Sequence, residues 1–187
     1  EWIFHWRQLL SPGTDPGDAS PGIAIRVPSY WSGYLMEGKK LPGTGYGTYT
    51  LRVLLPEGYR SSLCFDIPVF DVAYRLYVND ILAGSNGTIG TSAEEEEPWY
   101  DPSIFCFRPD SDTLHLLLQV SNYHHRRGGF WKPMHIGGSG AIQKRQEQVR
   151  VFYYSTIGVL FFFILFFLVF WLFSRWNRIM LLFALTA

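Results

Sequence analysis

Residues 152–173, FYYSTIGVLFFFILFFLVFWLF, run for 22 positions without a charge, and this stretch constrains the chain more than any other feature. At 1.5 Å rise per residue, about 20 apolar residues in a helix cross a hydrocarbon core of about 30 Å. A buried helix in a water-soluble domain seldom needs so long a run with no polar face. Tyr153 and Tyr154 stand at one end and Trp171 and Trp176 at the other, where amphipathic rings favour the headgroup level. The run is therefore expected to be a membrane-spanning helix. A secretory h-region is shorter and N-terminal, whereas this segment is internal.

Two Arg, Arg175 and Arg178, mark a short loop at 174–178, and residues 179–187, apolar except for Thr186, read as the truncated start of a second span. Further spans are expected beyond Ala187. The chain opens at Glu1 with no basic n-region, so a secretory signal is expected to have been removed or left out.

The 16 basic and 16 acidic residues cancel, yet every acid lies at or before Glu147, while Lys144, Arg145, Arg150, Arg175 and Arg178 crowd the apolar run. The neutral total hides a mildly acidic N-terminal region and a basic collar suited to lipid headgroups. No basic stripe with interleaved aromatics favours nucleic acid. The basic count on the two sides of the span is nearly even, so orientation follows from the nature of the N-terminal domain, because long domains translocate largely regardless of charge.

Residues 1–143 carry period-two patterns, the signal of half-buried strands. Tyr49, Leu51, Val53 and Leu55 alternate with Thr48, Thr50, Arg52 and Leu54. Leu63, Phe65 and Ile67 alternate with Cys64 and Asp66; Tyr74, Leu76 and Val78 with Ala73, Arg75 and Tyr77; and Leu114, Leu116, Leu118 and Val120 repeat the pattern. Turn chemistry lies between them at Pro56-Glu57-Gly58, Asn79-Asp80, Ser85-Asn86-Gly87 and Pro109-Asp110-Ser111-Asp112. Residues 136–141 read as a last strand. The pattern predicts an all-β sandwich of jelly-roll type followed by a transmembrane α-helix. Residues 144–151 form a juxtamembrane linker. Good helix formers without Gly or Pro over 143–150 place the start of the membrane helix before Phe152.

Six segments in order carry a resemblance: WIFHWRQLL at 2–10, VPSYW at 27–31, GYGTY at 45–49, AYRLYVN at 73–79, GSNG at 84–87, and QVSN at 119–122 followed by HHRRGG at 124–129. Together, ahead of a membrane span, they resemble the extracellular region of bacterial seven-transmembrane receptors with diverse intracellular signalling modules. Those regions are similar in turn to the galactose-binding-like jelly roll of family 2 glycosidases. Asp80 departs from the pattern, since that hairpin usually carries Gly, although Asp also tolerates the turn. The resemblance implies an extracytoplasmic, periplasmic or extracellular ligand-sensing domain in a multi-pass inner-membrane protein, with a cytoplasmic output such as a cyclase, kinase or phosphatase beyond the fragment.

Candidate ligand residues are Asn79, Trp99, Tyr100, His124, Arg126, Arg127 and Trp131. Arg126 and Arg127 suit a carboxylate or phosphate, and Trp131 can stack on a sugar face. In the competing reading the two arginines pair with the acidic run Glu94-Glu95-Glu96-Glu97 and Trp131 packs in the core. Adjacent His124 and His125 project to opposite faces of an extended strand and make a poor metal pair. Four consecutive carboxylates mostly repel and face water, so the acidic run reads as a solvated loop rather than a calcium site. Trp99 and Tyr100 suit a stacking platform. Asn79, by the glycosidase likeness, approaches a sugar, and is also a good turn residue.

No P-loop, HExxH or nucleophile elbow occurs, and no carboxylate pair suggests a glycosidase centre. The expectation is no catalysis, no metal and no cofactor within the fragment. Cys64 and Cys106 should both sit on outer strand faces, which leaves either one disulfide closing a long loop or two half-buried free thiols. The expected partners are the lipid bilayer and a small ligand of saccharide type, with homodimerisation an open question and no nucleic acid. Two functions stand: the sensor part of a receptor, or a membrane-anchored carbohydrate-binding or scaffold module.

Overall fold

The computed structural model describes residues 1–14, 21–68 and 71–173. The expected loop at 174–178 and the second span at 179–187 lie outside the described residues. Two units are distinguished, Glu1–Ile142 and Gln143–Ala187.

In the first unit the period-two runs become strands. A six-stranded antiparallel sheet has the order β2 (Ile23–Ile25), β1 (Trp2–Trp6), β5 (Gly45–Leu54), β10 (Thr113–Asn122), β7 (Ala73–Val78), β8 (Ile81–Asn86). A three-stranded sheet has the order β11 (His135–Gly138), β6 (Leu63–Ile67), β9 (Ser103–Phe107), and β3 (Leu35–Met36) and β4 (Lys39–Lys40) form a small ribbon. One apolar face of each large sheet shares a core: Phe4, Tyr49, Tyr74, Leu76, Leu114 and Leu118 from the first meet Leu63, Phe65 and Ile67 from the second. The result is a mostly-β sandwich.

The register explains the alternation. Leu118 lies opposite both Tyr49 and Leu76 in the ladder, so the three side chains share the core face. Their neighbours Thr50, Leu117 and Tyr77 share the outer face. Phe4 is wedged among Trp6, Trp31, Tyr34 and Tyr49, with ring centroids 4.5–6.0 Å apart. Burial pushes the Tyr49 phenol well above its usual range. Its oxygen accepts the N–H of Phe130 at 3.3 Å.

Two expectations change. The last strand stops at Gly138 rather than continuing to residue 141, because consecutive glycines give the ladder no side chains to pack, and helix α1 (Ser139–Phe173) begins at the next residue. The cysteines are joined: Cys64 and Cys106 face each other across β6 and β9, with Cα atoms 4.1 Å apart, in a disulfide. Cys64 is on the outer face as expected but covered. Gly137 is its ladder partner, and Ile142, in the first turns of α1, lies 3.7 Å from where a Gly137 Cβ would stand.

The second unit, over its described residues, is the remainder of α1. At 35 residues this helix is long and apolar enough to cross a membrane, by length and composition. Arg150 pairs with Glu147 at 3.4 Å one turn below. Within the apolar stretch the Thr156 hydroxyl donates to the Phe152 carbonyl at 2.9 Å, which satisfies a polar group that a hydrocarbon environment would not.

Candidate functional site

The loop between β8 and β9 and the loop between β10 and β11 meet at one end of the sandwich, and most of the expected ligand residues are on these two loops. Asn86, at the end of β8, holds the first of them. Its side-chain amide donates to the Trp99 carbonyl, and its Oδ1 accepts the N–H of Asp101 at 3.0 Å. Thr88 and Glu97 exchange backbone hydrogen bonds of 2.7 and 3.0 Å. With its stem pinned, the loop presents Trp99 and Tyr100 to solvent, 60% and 56% exposed.

Asn122, at the end of β10, organises the second loop. Its Oδ1 accepts the His125 N–H at 3.1 Å, while its Nδ2 donates to the carbonyls of His125 and Gly43 at 2.8 and 2.7 Å. The chain then passes across Trp31, which is fully buried. A Cβ on Gly128 would lie 2.2 Å from the Trp31 ring, and Gly129 has φ +121°. Only glycines allow this close passage. Trp31 N–H donates to the Gly128 carbonyl at 3.1 Å and Ser29 N–H to that of Phe130 at 3.0 Å, which seats residues 128–130 against 29–31.

The loops touch through Tyr100 and His125, hydroxyl to Nε2 3.2 Å with the rings edge to face, and through His124, whose Nε2 is 3.1 Å from the Glu96 carbonyl. Trp99, Tyr100 and His124 are thus brought together. Arg127 and Trp131 form a second group around Tyr30. The Arg127 guanidinium sits over the Tyr30 ring at 5.3 Å, Tyr30 stacks on Trp131 at 5.7 Å, and the Lys132 ammonium lies 4.7 Å from the Trp131 ring. Trp131 is half-buried, packed on the core edge rather than within it. Arg126 is exposed on the same loop, and its carbonyl passes so close to Gly43 that a Cβ there would lie 2.2 Å away. Among the described residues neither Arg126 nor Arg127 is ion-paired with the acidic run.

Asn79 is elsewhere. It lies in the β7–β8 turn beside His115 near the start of β10, whereas the rim loops leave from Asn122 at its end. Seven residues of strand at about 3.4 Å each separate the two positions by about 24 Å. The Asn79 side chain is engaged with the His115 N–H and lines a groove of ≈ 750 Å³ on the outer face of the six-stranded sheet.

The acidic run is not uniformly solvated. It lies in a turn, which rotates successive side chains apart, so Glu94, Glu95 and Glu97 are exposed while Glu96 is only 4% exposed. One Glu96 oxygen accepts the Tyr123 N–H, and Oε1 has no hydrogen-bond partner among the described residues. The N–H and hydroxyl of Thr91, both 2.8 Å away, hold the Glu95 carboxyl below its usual range. Partial burial raises the Tyr123 phenol, reinforced by Tyr46 and opposed by Arg7. Among the described residues no three His, Cys, Asp or Glu side chains converge as a metal set.

Sequence reasoning missed Tyr30, His125 and Lys132. Tyr30 belongs to the VPSYW segment and His125 adjoins a candidate, but only the fold reveals that the first stacks on Trp131 and the second meets Tyr100.

Neither a family model nor a curated protein matches the chain. Among solved structures, it is similar to a GH2 β-galacturonidase from Eisenbergiella tayi bound to galacturonate, at 14% identity and TM-score 0.47, over 72% of this chain and 22% of that one. It is also similar to the β-glucuronidase of Ruminococcus gnavus, at 14% identity and TM-score 0.44, over 65% of this chain and 20% of that one. The chain thus spans about a fifth of those proteins. Likenesses this distant carry no information on ligand or chemistry.

Proposed function

We propose that the chain is the sensory portion of a bacterial multi-pass membrane receptor of the seven-transmembrane type described above. In this reading the sandwich is a galactose-binding-like jelly roll outside the cytoplasm. It binds a small polar ligand of saccharide or anionic type at the rim of Trp99, Tyr100, His124, Arg126, Arg127 and Trp131. The observation that carries the reading is that a disulfide-bridged β domain runs from its last strand, without an intervening loop residue, into a helix of membrane-spanning length. Disulfides persist in oxidising compartments, which favours an outward-facing domain. Exposed aromatics beside guanidinium groups that form no ion pair among the described residues suit a polar ligand with a flat apolar face.

The test is protease treatment of intact spheroplasts. Residues 1 to about 142 should be removed while the 174–178 loop is protected, and protection of the sandwich would overturn the outward orientation. In the full-length protein, a flexible Gly-Ser insertion after Gln146 should abolish ligand-dependent output while leaving ligand affinity intact. Unchanged output, or a full-length chain without a cytoplasmic signalling module, would favour an anchored binding module instead.

A further inference from the structure

We propose that the outer face of the six-stranded sheet holds a second small-molecule site, a groove for a monocarboxylate with an apolar body, in which Arg52 binds the carboxylate. The site is independent of the rim.

An outer sheet face open to water should be polar. Here Ile3, Thr50, Leu117 and Tyr77 form one row, each opposite the next in the ladder, and Leu117 is only 9% exposed. Part of the face is covered by the chain itself. Residues 7–14 leave β1 and cross the sheet: Leu10 N–H donates to Thr48 Oγ1 at 3.1 Å, Gln119 Nε2 to the Leu10 carbonyl at 2.8 Å, and Gly13 N–H to Asp80 Oδ1 at 2.6 Å. This strap roofs the row of Thr48 and Gln119 and leaves the Ile3–Thr50–Leu117 row as the floor of the ≈ 750 Å³ groove, with Gly13 and Thr14 on its edge. The size is that of a small-molecule site.

The far wall supplies the charge. Arg52 and His115 are direct ladder partners, both exposed and both lining the groove. Opposed side chains on one sheet face have Cβ atoms about 5 Å apart, within reach of a single carboxylate. Among the described residues neither side chain has a hydrogen-bond or ion-pair partner. A guanidinium fork matches a carboxylate in two parallel bonds.

Among the described residues the remaining titratable side chains of the groove are those of Glu1 and Asp80, the latter already bonded to Gly13. Their negative charge disfavours a phosphate dianion, and an apolar floor disfavours a strongly hydrated one. One negative charge on a carbon body fits both the wall and the floor.

The experiment uses the full chain in detergent micelles, with Ile and Leu methyl groups isotopically labelled, titrated with phenylacetate and with its neutral analogue phenylacetamide. Phenylacetate is expected to shift the Ile3 and Leu117 methyls saturably, with at least about tenfold higher affinity than phenylacetamide, a difference of 1.4 kcal/mol. Arg52→Gln should remove that advantage without changing the weak phenylacetamide affinity, and Arg127→Ala at the rim should change neither. Absence of saturable shifts, equal affinities for the two probes in the unmodified chain, or unchanged phenylacetate affinity in Arg52→Gln would each overturn the proposal. The comparison of two probes in the unmodified chain holds even where a variant fails to fold. None of these outcomes depends on orientation or rim binding, so the receptor reading is tested separately.

Discussion

Asn79 and His115 are bonded to each other twice. The Asn79 N–H donates to the His115 carbonyl at 2.9 Å, and the His115 N–H donates to Asn79 Oδ1 at 2.8 Å. The pair fastens the β7–β8 turn to β10, and it gives the Asn79 side chain a structural task at the opposite end of the sheet from the rim. Asn79 and Asp80 both have positive φ, 46° and 65°, the pattern of a type I′ hairpin. Asn79→Ala should therefore lose a hydrogen bond of about 1 kcal/mol and add left-handed backbone cost of about 1–2 kcal/mol. Asn79→Gly should lose only the bond. Urea unfolding of the two variants should rank them in that order.

The disulfide between Cys64 and Cys106 closes a loop of 42 residues. In the chain-entropy treatment that constraint contributes about 4 kcal/mol. Paired Cys64→Ser and Cys106→Ser substitutions, or reduction by dithiothreitol, should lower the unfolding free energy by an amount of this order while preserving far-ultraviolet circular dichroism below the transition. An unchanged midpoint after complete reduction would show that the bridge adds nothing.

Asp112 joins the 56–60 turn to the start of β10. Arg60 donates to its Oδ1 at 2.7 Å, and Gly58 N–H is 3.2 Å from the same oxygen. The Arg60 bond, with help from Gly58, holds the carboxyl below its ordinary 3.8. A depressed native value means that the contribution is present above the unfolded-state pKa and fades as pH falls through the native one. Stability of the parent chain over Asp112→Asn should thus be greatest near neutrality and vanish in strong acid. The pair is exposed, so the difference should be small and shrink with added salt.

Gly128→Ala would push a methyl into the Trp31 ring and to within 2.8 Å of Asn122 Cβ. Overpacking of this kind costs about 1–3 kcal/mol. The displacement should also loosen the loop that carries His125, seen as a change in Tyr100 and Trp fluorescence. Gly33→Ala is the control, since a Cβ there meets nothing within 4 Å, and it should be nearly neutral.

Much of this molecule was legible from local pattern alone. The runs at 63–67 and 73–78 became β6 and β7 with the expected bounds, because alternation of side chains across a pleat is a property of neighbouring residues. The apolar run lies inside a helix of spanning length for the same reason, since length and polarity are sums along the chain. Strand β8 carried a weaker signal: Gly84 interrupts its apolar pattern, and Ile81 and Leu82 are exposed edge residues. The loop position of Trp99, Tyr100, His124, Arg126, Arg127 and Trp131 was legible, but not the pairing of Tyr30 with Trp131 or of Tyr100 with His125.

The sequence by itself determined a β domain followed by a long apolar helix, the faces of the main strands and the turns between them. Only the tertiary structure decided which segments meet. It put β10 between β5 and β7, and so carried Asn79 away from the other candidate residues. It set Cys64 opposite Cys106, turned Glu96 inward beneath Tyr123, and laid residues 7–14 across the outer face. Each of these contacts joins residues 27 to 109 positions apart. Period and composition report where a side chain points along its own strand, but neighbours across a sheet follow from strand order and register, which the whole core selects together.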